Sequence, residues 1–556
     1  IYFYIRVYNR GSRKPVWSAF AHSYPFSKTA SRDFAIYQDG TTGLIWESAV
    51  VTGEPADKVE RIEILAATQE DQQDIRLRVQ DFVLEKEPPE VAQEVRARAA
   101  VRKWTPVPVY SDKPAATKNI GSIRPADIER AKENIRRHEW AKNCYERIKA
   151  AGDFWMKLTP EQLKLMIPEE DAWFKCLCPN CGTAPEFAWS GKGGLMPDLK
   201  SIRCSKCSMI FPNEKYPENH TYTVKNRDGS LRTIRCYKGK DQISSGENYG
   251  PHYHITGAVN YAKTRKFGSV FSLAFAYAVE GKIEYAQRVR EVLLRLAQVY
   301  PNYIVKFRAT PYPTPRQSRQ GMGGKLCAWK FNDSHTFVRI FNAYALTRDC
   351  GIYSDADKVA IENGLCREFK WLMTAFPPKD SCSNAIPYHM TASALCASIL
   401  GDHELMDWVL QGANGYIAFI KKWYHRDGFW HENSASYANM ANEGMIQLVA
   451  AIQGYSDPES YKGADRYDRI DLLKLIPSQG QVLVCMGPAV LPTGAVAAFN
   501  DSSCSSGAAI SQMTFQAAIE PTPENRARAA YFIHNSPRQR PGDVCLMYRD
   551  PDIQPV

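Results

Sequence analysis

The 556-residue sequence lacks any apolar run long enough to cross a membrane. A spanning helix needs about 18 or more apolar residues in a row, and the densest stretch, Val270–Val279, is roughly half that length. The sequence also lacks the biased composition of disordered or fibrous chains, because hydrophobic residues make up 44% and charged residues 23%. We therefore predict a folded chain of several domains with no membrane span.

Short motifs of common nucleotide-binding and hydrolytic enzymes are also missing. No GxSxG, Walker A or GxGxxG motif occurs in a suitable context, and the nearest Gly-rich loop, Gly321–Gly324, lacks the Lys-Ser/Thr ending of a phosphate-binding loop. The pair His431-Glu432 does not begin an HExxH metalloprotease motif, because residue 435 is alanine. These absences leave the reaction class to be argued from other residues.

Neither sign of charge strongly dominates. Lys and Arg number 70 and Asp and Glu 60, which gives a net charge of +10. This excess favours an anionic partner without choosing among nucleic acid, acidic glycan and phosphate. Aromatic residues make up 12% of the chain, a supply that can line a sugar-binding groove or fill a large core.

Hydropathy patterns divide the chain into a β-rich start and a long helical region. Short alternating segments predict an N-terminal β-sandwich over residues 1–90, with strands at 1–8, 17–22, 33–38, 43–51, 59–67 and 75–84. Residues 91–124, rich in proline and charge, predict a linker. Amphipathic helices in hairpin order predict an incomplete (α/α) toroid over 125–505, with a solenoid as the alternative. From residue 476 on, Gly, Pro and strand-like runs such as QVLVCMG indicate β structure, and we predict that 506–556 is the incomplete start of a C-terminal antiparallel β domain. The fold class is thus multidomain α+β.

The cysteines predict a metal site and no disulfide framework. There are 15, an odd number, and most are scattered through apolar helical patterns. Two CxxC pairs, Cys178 with Cys181 and Cys204 with Cys207, are separated by 22 residues and have the donor set that tetrahedral zinc favours. Reduced thiol turns without metal are the alternative.

With four cysteine ligands, such a site has no open position, so we predict structural zinc in an insertion over 174–220. A nucleic-acid-binding ribbon is the other use of such a site. The segment between the pairs has no dense Arg/Lys stripe, so no nucleic-acid partner is predicted.

Two polar clusters lie at turns between apolar helices, where chemistry tends to be placed. The first, SNAIPYH, carries Asn384 and His389 at a helix start. The second, DGFWHENSASY, begins at a DG turn and carries His431, Glu432 and Tyr437. From the residues alone, Asn384 has the alternative of capping its helix, and Tyr437 of packing as an ordinary aromatic.

The order of a sandwich-like start, a helix array, SNxxPYH and DGxWxExSxxY resembles the heparinase II/III-like polysaccharide lyases, a family that includes alginate and glycosaminoglycan lyases. The resemblance is best over 125–505, and the segment from Cys178 to Pro217 is similar to an insertion in some members. It implies that Asn384 neutralises a uronate carboxylate and that Tyr437 takes the proton. It also implies an anionic polysaccharide substrate and a secreted or periplasmic location.

The chemistry of β-elimination fits these residue types. The proton at C5 of a uronate is weakly acidic while the carboxylate is charged. Donors such as Asn384, or a protonated His389, would stabilise the developing enolate as an oxyanion hole does. A tyrosine near cations can have a lowered pKa, so Tyr437 is the expected base and the acid that then protonates O4.

Further histidines are candidate substrate contacts with equally plausible packing roles. His335 lies in FNDSHTF at a helix start, and His252 and His254 lie in GPHYH. His431 and Glu432 flank the Tyr437 turn, and His389 has the alternative of a buried supporting role. The family usually adds a histidine from its C-terminal β domain, and only His534 follows residue 505 here.

Several functions remain open at this point. A uronate C5-epimerase shares the proton abstraction. A glycoside hydrolase on an α/α barrel would use paired carboxylates such as Asp427 with Glu432 or Glu443. A non-catalytic glycan-binding protein would keep only the groove. Heparin-like, chondroitin-like, alginate-like and ulvan-like polymers all suit a basic groove.

Overall fold

A computed structural model gives the fold of most of the chain. The residues it describes are 2–10, 17–22, 47–50, 59–67, 108–117, 120–173, 176–182, 194–225, 231–244, 247–305, 323–327, 330–375, 384–412, 415–425, 427–476, 479–484, 497–498, 502, 510–535 and 541–553.

The N-terminal region forms one antiparallel sheet of four strands in the order β3-β2-β1-β4. The strands are β1 (Tyr2–Asn9), β2 (Trp17–His22), β3 (Glu47–Val50) and β4 (Val59–Ala67). Strand β1 is central and pairs with β2 and β4, with a register shift after Tyr8. Strands predicted at these four places are confirmed. Those predicted at 33–38 and 75–84 lie outside the described residues, so the sandwich stays a prediction.

Eighteen helices follow within the described residues. They are α1 (Pro125–Arg137), α2 (Glu139–Met156), α3 (Pro160–Met166), α4 (Ile255–Phe267), α5 (Val270–Glu280), α6 (Ile283–Val299), α7 (Lys330–Thr347), α8 (Asp355–Ile361), α9 (Glu368–Ala375), α10 (Ile386–Leu400), α11 (His403–Gln411), α12 (Tyr416–Trp423), α13 (Ala435–Ile452), α14 (Leu472–Leu475), α15 (Gln479–Val484), α16 (Ile510–Ile519), α17 (Pro523–Asn535) and α18 (Asp543–Tyr548). A π-helical segment, Glu362–Arg367, joins α8 to α9.

The helices that pack centrally contact one another in a closed circuit. The contacts run from α1 to α2, then to α5, α7, α10, α13, α16 and α18, and α18 returns to α1. Most of the other helices pack against members of this circuit, as α6 does on α5 and α7. Long apolar faces explain this arrangement, because α10 buries nearly its whole length and α5 its first two turns. One hydrophobic core runs through the helices. No helix among the described residues is long and apolar enough to cross a bilayer.

The C-terminal region is helical, which corrects the sequence prediction. QVLV at 481–484 lies in α15 and not in a strand, and α16, α17 and α18 occupy the described part of 506–556. The reason is packing: α18 buries Cys545 to Tyr548 against α1. Tertiary burial therefore overrides the strand-like composition of this segment.

The insertion between α3 and α4 contains two small sheets. Strands β5 (Gly194–Leu195), β6 (Ile202–Arg203) and β7 (Ile210–Phe211) form the first, and β8 (His220–Lys225), β9 (Leu231–Ser244) and β10 (Glu247–Tyr253) form the second. Both are antiparallel, with β6 and β9 central. A separate apolar cluster around Ile202 and Phe211 serves as the core of the first sheet.

Part of the predicted linker lies against the helices. Residues 108–117 form no regular element. Asn363, in the π-helical segment, accepts from Ser111 N at 3.0 Å and donates to Ser111 O at 2.8 Å. Thr117 Oγ1 donates to Ile399 O at 2.8 Å. This stretch of the linker is therefore fixed by hydrogen bonds.

Candidate active site

The N-terminal ends of α7, α10 and α13 meet at one end of the circuit. Ser334 Oγ, early in α7, lies 2.8 Å from His389 Nδ1, early in α10. Tyr388 OH donates to Met440 O at 3.2 Å, and Thr391 Oγ1 donates to Gly444 O at 3.2 Å. From Tyr388 to Thr391 along α10, the contacted residue on α13 moves from Met440 to Gly444, so these two helices run parallel. The side chains at their first turns therefore share one end.

Asn384 lies in the turn just before α10 and does not cap that helix. The capping position is Ala385, and no side chain accepts a hydrogen bond there. Asn384 is half-buried, and its side chain makes no hydrogen bond to any other described residue. The capping alternative is therefore wrong, and the amide stays available for another acceptor in this part of the chain.

Tyr437 lies in the first turn of α13, and its position has a local cause. Ser434 caps this helix, and its Oγ accepts from Tyr437 N at 3.4 Å. The S-x-x-Y spacing is therefore that of a helix cap and the third residue of the helix. Ser502 supports the turn, because its Oγ lies 3.0 Å from Ser434 Oγ and accepts from Ser436 N at 2.9 Å.

The DGFWHE segment before α13 forms a tight hairpin that is largely buried. Asp427 Oδ1 accepts from Phe429 N at 2.9 Å, and Gly428 has a φ of 82°, a conformation that favours glycine. Trp430 is fully buried, and its Nε1 donates to Glu432 Oε2 at 2.7 Å. One oxygen of Glu432 thus has a structural partner.

His431 is 3% exposed, with its ring 4.5 Å from that of Trp430 and 5.3 Å from that of Trp423. A polysaccharide cannot reach this side chain in the described conformation. The predicted substrate contact of His431 is therefore corrected to packing beneath the hairpin.

His389 is buried and is not the protonated donor considered from sequence. Burial, and then the charge of Lys330, lower the pKa of His389 to about 3. Burial also lowers the pKa of Lys330 to about 7. His389 is therefore a neutral imidazole held by Ser334, with Nε2 as its remaining polar atom.

His335 lines a cleft that was not predicted from the sequence. Its ring lies 5.5 Å from that of Tyr388, and burial followed by the charge of Arg339 lowers its pKa. His335 is nonetheless an exposed residue, and it lines a cavity. A cavity of about 440 Å³ extends from His335 and Arg339 to Asp543, which forms a salt bridge with Arg339.

Arg339 and Tyr388 are the residues that the sequence analysis missed at this site. Arg339 follows His335 by four residues and so shares a face of α7, which was a usable signal. Tyr388 directly precedes His389. Burial and the nearby Glu443 raise the pKa of Tyr388, so Tyr388 is poorly suited to act as a base.

His252 and His254 lie in the insertion and not in the helix turns. His254 is 1% exposed, stacks on Trp173 at 4.1 Å and lies 2.6 Å from Tyr222 OH. Its predicted substrate contact is corrected to packing. His252 lies on β10 with its ring 5.2 Å from that of His220.

The four predicted zinc ligands converge. The Sγ atoms of Cys178, Cys181, Cys204 and Cys207 all lie within 4.8 Å of one another, and the Cys178–Cys207 and Cys181–Cys204 distances are both 3.7 Å. A tetrahedral site with Zn–S bonds of about 2.3 Å spaces its sulfurs by about 3.8 Å. The donor set and its spacing therefore fit a structural Zn²⁺.

Comparison with known proteins gives one partial match in sequence. No family model matches the chain. Over 203 residues, 35% of this chain, it is 24% identical to an alginate lyase of Stenotrophomonas maltophilia (strain K279a), and the match covers 26% of that protein.

Two solved structures are also similar. An alginate lyase from Bacteroides ovatus has 13% identity and a TM-score of 0.43, covering 77% of this chain and 99% of that one. An alginate lyase from Sphingomonas species A1 has 16% identity and a TM-score of 0.34, covering 68% of this chain and 88% of that one.

Proposed function

We propose that the protein is a polysaccharide lyase that cleaves a uronate-containing polymer by β-elimination. The observation that supports the proposal is that the N-terminal ends of α7, α10 and α13 meet. Asn384 precedes α10 and Tyr437 lies in the first turn of α13, so both belong to the same end of this parallel pair, and α7 adds His335. The partial similarity to an alginate lyase supports the same reaction class. We further propose that the closed helix circuit is the (α/α) toroid predicted from sequence.

The electrostatics of this end suit a uronate. Each helix start carries partial positive charge, worth about 0.3–1 kcal/mol to an adjacent anion. Arg339 of α7 adds no net positive charge, because its guanidinium is paired with Asp543. A carboxylate held between Asn384 and these helix ends would be partly neutralised, which makes the proton at C5 easier to remove.

The reaction then needs one base and one acid at the same sugar. Tyr437, as phenolate, would take the C5 proton and leave an enolate on the carboxylate side. Asn384 Nδ2 would donate to that enolate, a contribution worth about 10²–10³ in rate. The same phenol would return its proton to O4 as the glycosidic bond breaks, giving a 4,5-unsaturated uronate.

His389 acts in this proposal as a positioning residue. Because the Nδ1 atom of His389 is hydrogen-bonded to Ser334 Oγ, the orientation of the ring is fixed, and Nε2 is its other polar atom. A neutral imidazole at this depth orders the first turn of α10, which follows the turn that carries Asn384. The zinc centre we propose to be structural, bracing the insertion.

Alginate is the first polymer to test, because the matched relative is an alginate lyase. A polymeric substrate would place the enzyme outside the cytosol, secreted or periplasmic. Heparin-like, chondroitin-like and ulvan-like polymers complete the panel, because all present uronate carboxylates to the same site.

The test is ultraviolet absorbance of the unsaturated uronate, measured with the full chain. We expect a rise with one polymer and a fall in kcat of about 10²–10⁴-fold in Tyr437→Phe, since the base and acid are lost. Asn384→Ala should lose about 10²–10³-fold, mainly in kcat. The matched controls are Tyr531→Phe and Asn143→Ala, which change exposed side chains on α17 and α2.

The possible results separate the functions. A folded wild-type chain that gives no absorbance rise with any polymer contradicts the lyase. Deuterium incorporation at C5 without cleavage would identify an epimerase instead. Full activity in Tyr437→Phe would remove Tyr437 from the mechanism.

A further inference from the structure

The second sheet of the insertion brings three metal-binding side chains onto one face. Cys236 lies on the central strand β9, and His220 is its direct cross-strand partner on β8. On the other side, His252 of β10 pairs with Lys238, two residues along β9 from Cys236. Side chains two apart along a strand, and those directly opposite, share a face of the sheet.

The pairing of β10 with β9 is irregular next to the third side chain, His252. The register of β10 against β9 shifts between Asn248 and Gly250 and again between Gly250 and His252. Gly250 has a φ of 73°. Irregularities of this kind locally bend the strands and increase their twist. Opposite Lys238, His252 is a diagonal neighbour of Cys236 on the shared face, a separation that a long side chain can span.

The ligand atoms of the three residues are already close together. One donor atom from each of His220, Cys236 and His252 lies within 4.8 Å of the others, the same limit that the four-cysteine centre meets. Cys236 is fully buried, and the two histidines are half-buried. The thiol is thus the buried member of this small cluster, and the two imidazoles are partly accessible to solvent.

We propose that His220, Cys236 and His252 form a second zinc site, distinct from the four-cysteine centre. Two imidazoles and one thiolate are a donor set that Zn²⁺ binds well, and three protein ligands leave one tetrahedral position for water or another small ligand. Glu218 does not fill that position, since its carboxylate accepts from Thr256 N at 3.1 Å and from Thr256 Oγ1.

The site would tie the sheet together across its three strands. The four-cysteine centre joins the turns at 178–181 and 204–207, whereas this site joins β8, β9 and β10. No ligand is shared between the two. The proposal is independent of the lyase chemistry, and its test does not require a substrate.

Metal binding is counted with the full chain, stripped of metal by chelation under reducing conditions and titrated with Co²⁺ as a probe for Zn²⁺. We expect about two equivalents per wild-type chain and about one in Cys236→Ser or in His252→Gln. Cys178→Ser should also retain about one. Because Cys236 supplies one thiolate of five, its variant should lose roughly a fifth of the thiolate-to-cobalt absorbance.

The controls are Cys144→Ser, a buried cysteine on α2, and His534→Gln, an exposed histidine on α17. Both should keep about two equivalents. His252→Gln keeps the test valid if burying a serine at 236 prevents folding. The proposal is overturned if the wild-type chain binds one equivalent that Cys178→Ser abolishes, or if His252→Gln still binds two.

Discussion

His389 connects the chemistry of a single side chain to the acid stability of the protein. Its ring is buried against Lys330 and Ser334, and its pKa of about 3 lies well below the ordinary value of about 6.5. In the unfolded chain the same histidine would bind a proton below about pH 6.5. Between about pH 6.5 and pH 3 the unfolded state therefore binds a proton at this histidine that the folded state does not bind.

The first prediction at this scale concerns pH. The folded pKa is depressed, so the stabilisation is present above about pH 6.5 and is lost as pH falls toward about 3, by up to about 1.4 kcal/mol per pH unit. His389→Gln should show a shallower loss of unfolding free energy between pH 6.5 and 4 than the wild type, by denaturant titration. Equal slopes for the two proteins would contradict it, and His534→Gln should match the wild type.

Comparing Asn384 with His431 shows what the sequence could and could not predict at the site. Both lie in polar turns before helices, and the pattern correctly marked both turns. The difference between them is burial, because Trp423 and Trp430 cover His431 while Asn384 stays half-buried. Burial depends on residues distant in sequence, so neighbouring letters could not separate a candidate catalytic amide from a packed imidazole.

At the scale of elements, the fit of α10 against α13 depends on Gly444. A Cβ atom at this position would come within 2.7 Å of Pro387 Cβ and 3.0 Å of Tyr388 Cε2. Both contacts lie in the first turn of α10, which follows Asn384. The helix pair therefore requires a residue without a side chain here.

Gly444→Ala should consequently separate the two helices. We expect a loss of about 1–3 kcal/mol in unfolding free energy from overpacking, with a fall in any lyase activity. Gly480→Ala in α15 is the matched control, because its nearest neighbour would be an ordinary 3.4 Å from the new Cβ. Thermal unfolding of both variants measures the difference, and equal midpoints would show that the α10–α13 contact can adjust.

Helices with strong local signals were the elements that the sequence predicted best. The polar turn before α10 marked the start of that helix correctly, and a proline at its second position agrees with a helix start. The short apolar run QVLV carried no such signal, because a run of that length fits a strand or a buried helix equally. Its helical state in α15 depends on packing against α13 and α16.

At the scale of the whole molecule, α18 closes the helix circuit through buried hydrogen bonds. Asn134 of α1 is fully buried, and its Nδ2 donates to Leu546 O at 3.0 Å and to Arg549 O at 2.8 Å. Arg130 donates to Met547 O at 2.9 Å. Arg339 of α7 adds a salt bridge to Asp543, so α18 is linked to both α1 and α7.

Asn134→Ala should loosen this closure. Removing the amide leaves buried carbonyls without their donor, at a cost of about 1–3 kcal/mol. We expect a lower thermal midpoint together with faster proteolysis near 541–553. Asn143→Ala, one helix later and exposed, should change stability by less than about 0.5 kcal/mol. If the two variants unfold alike, the contacts of α18 do not hold the circuit closed.

The contact between α1 and the C-terminal end of α18 also affects how the protein folds during its synthesis. Asn134 and Arg549 are separated by 415 positions in the chain. A domain emerging from the ribosome at about 5–20 residues per second therefore waits tens of seconds before α1 meets its partner. Until then the face of α1 that packs against α18 has no partner, although α1 and α2 can already pack against each other and α2 against α5.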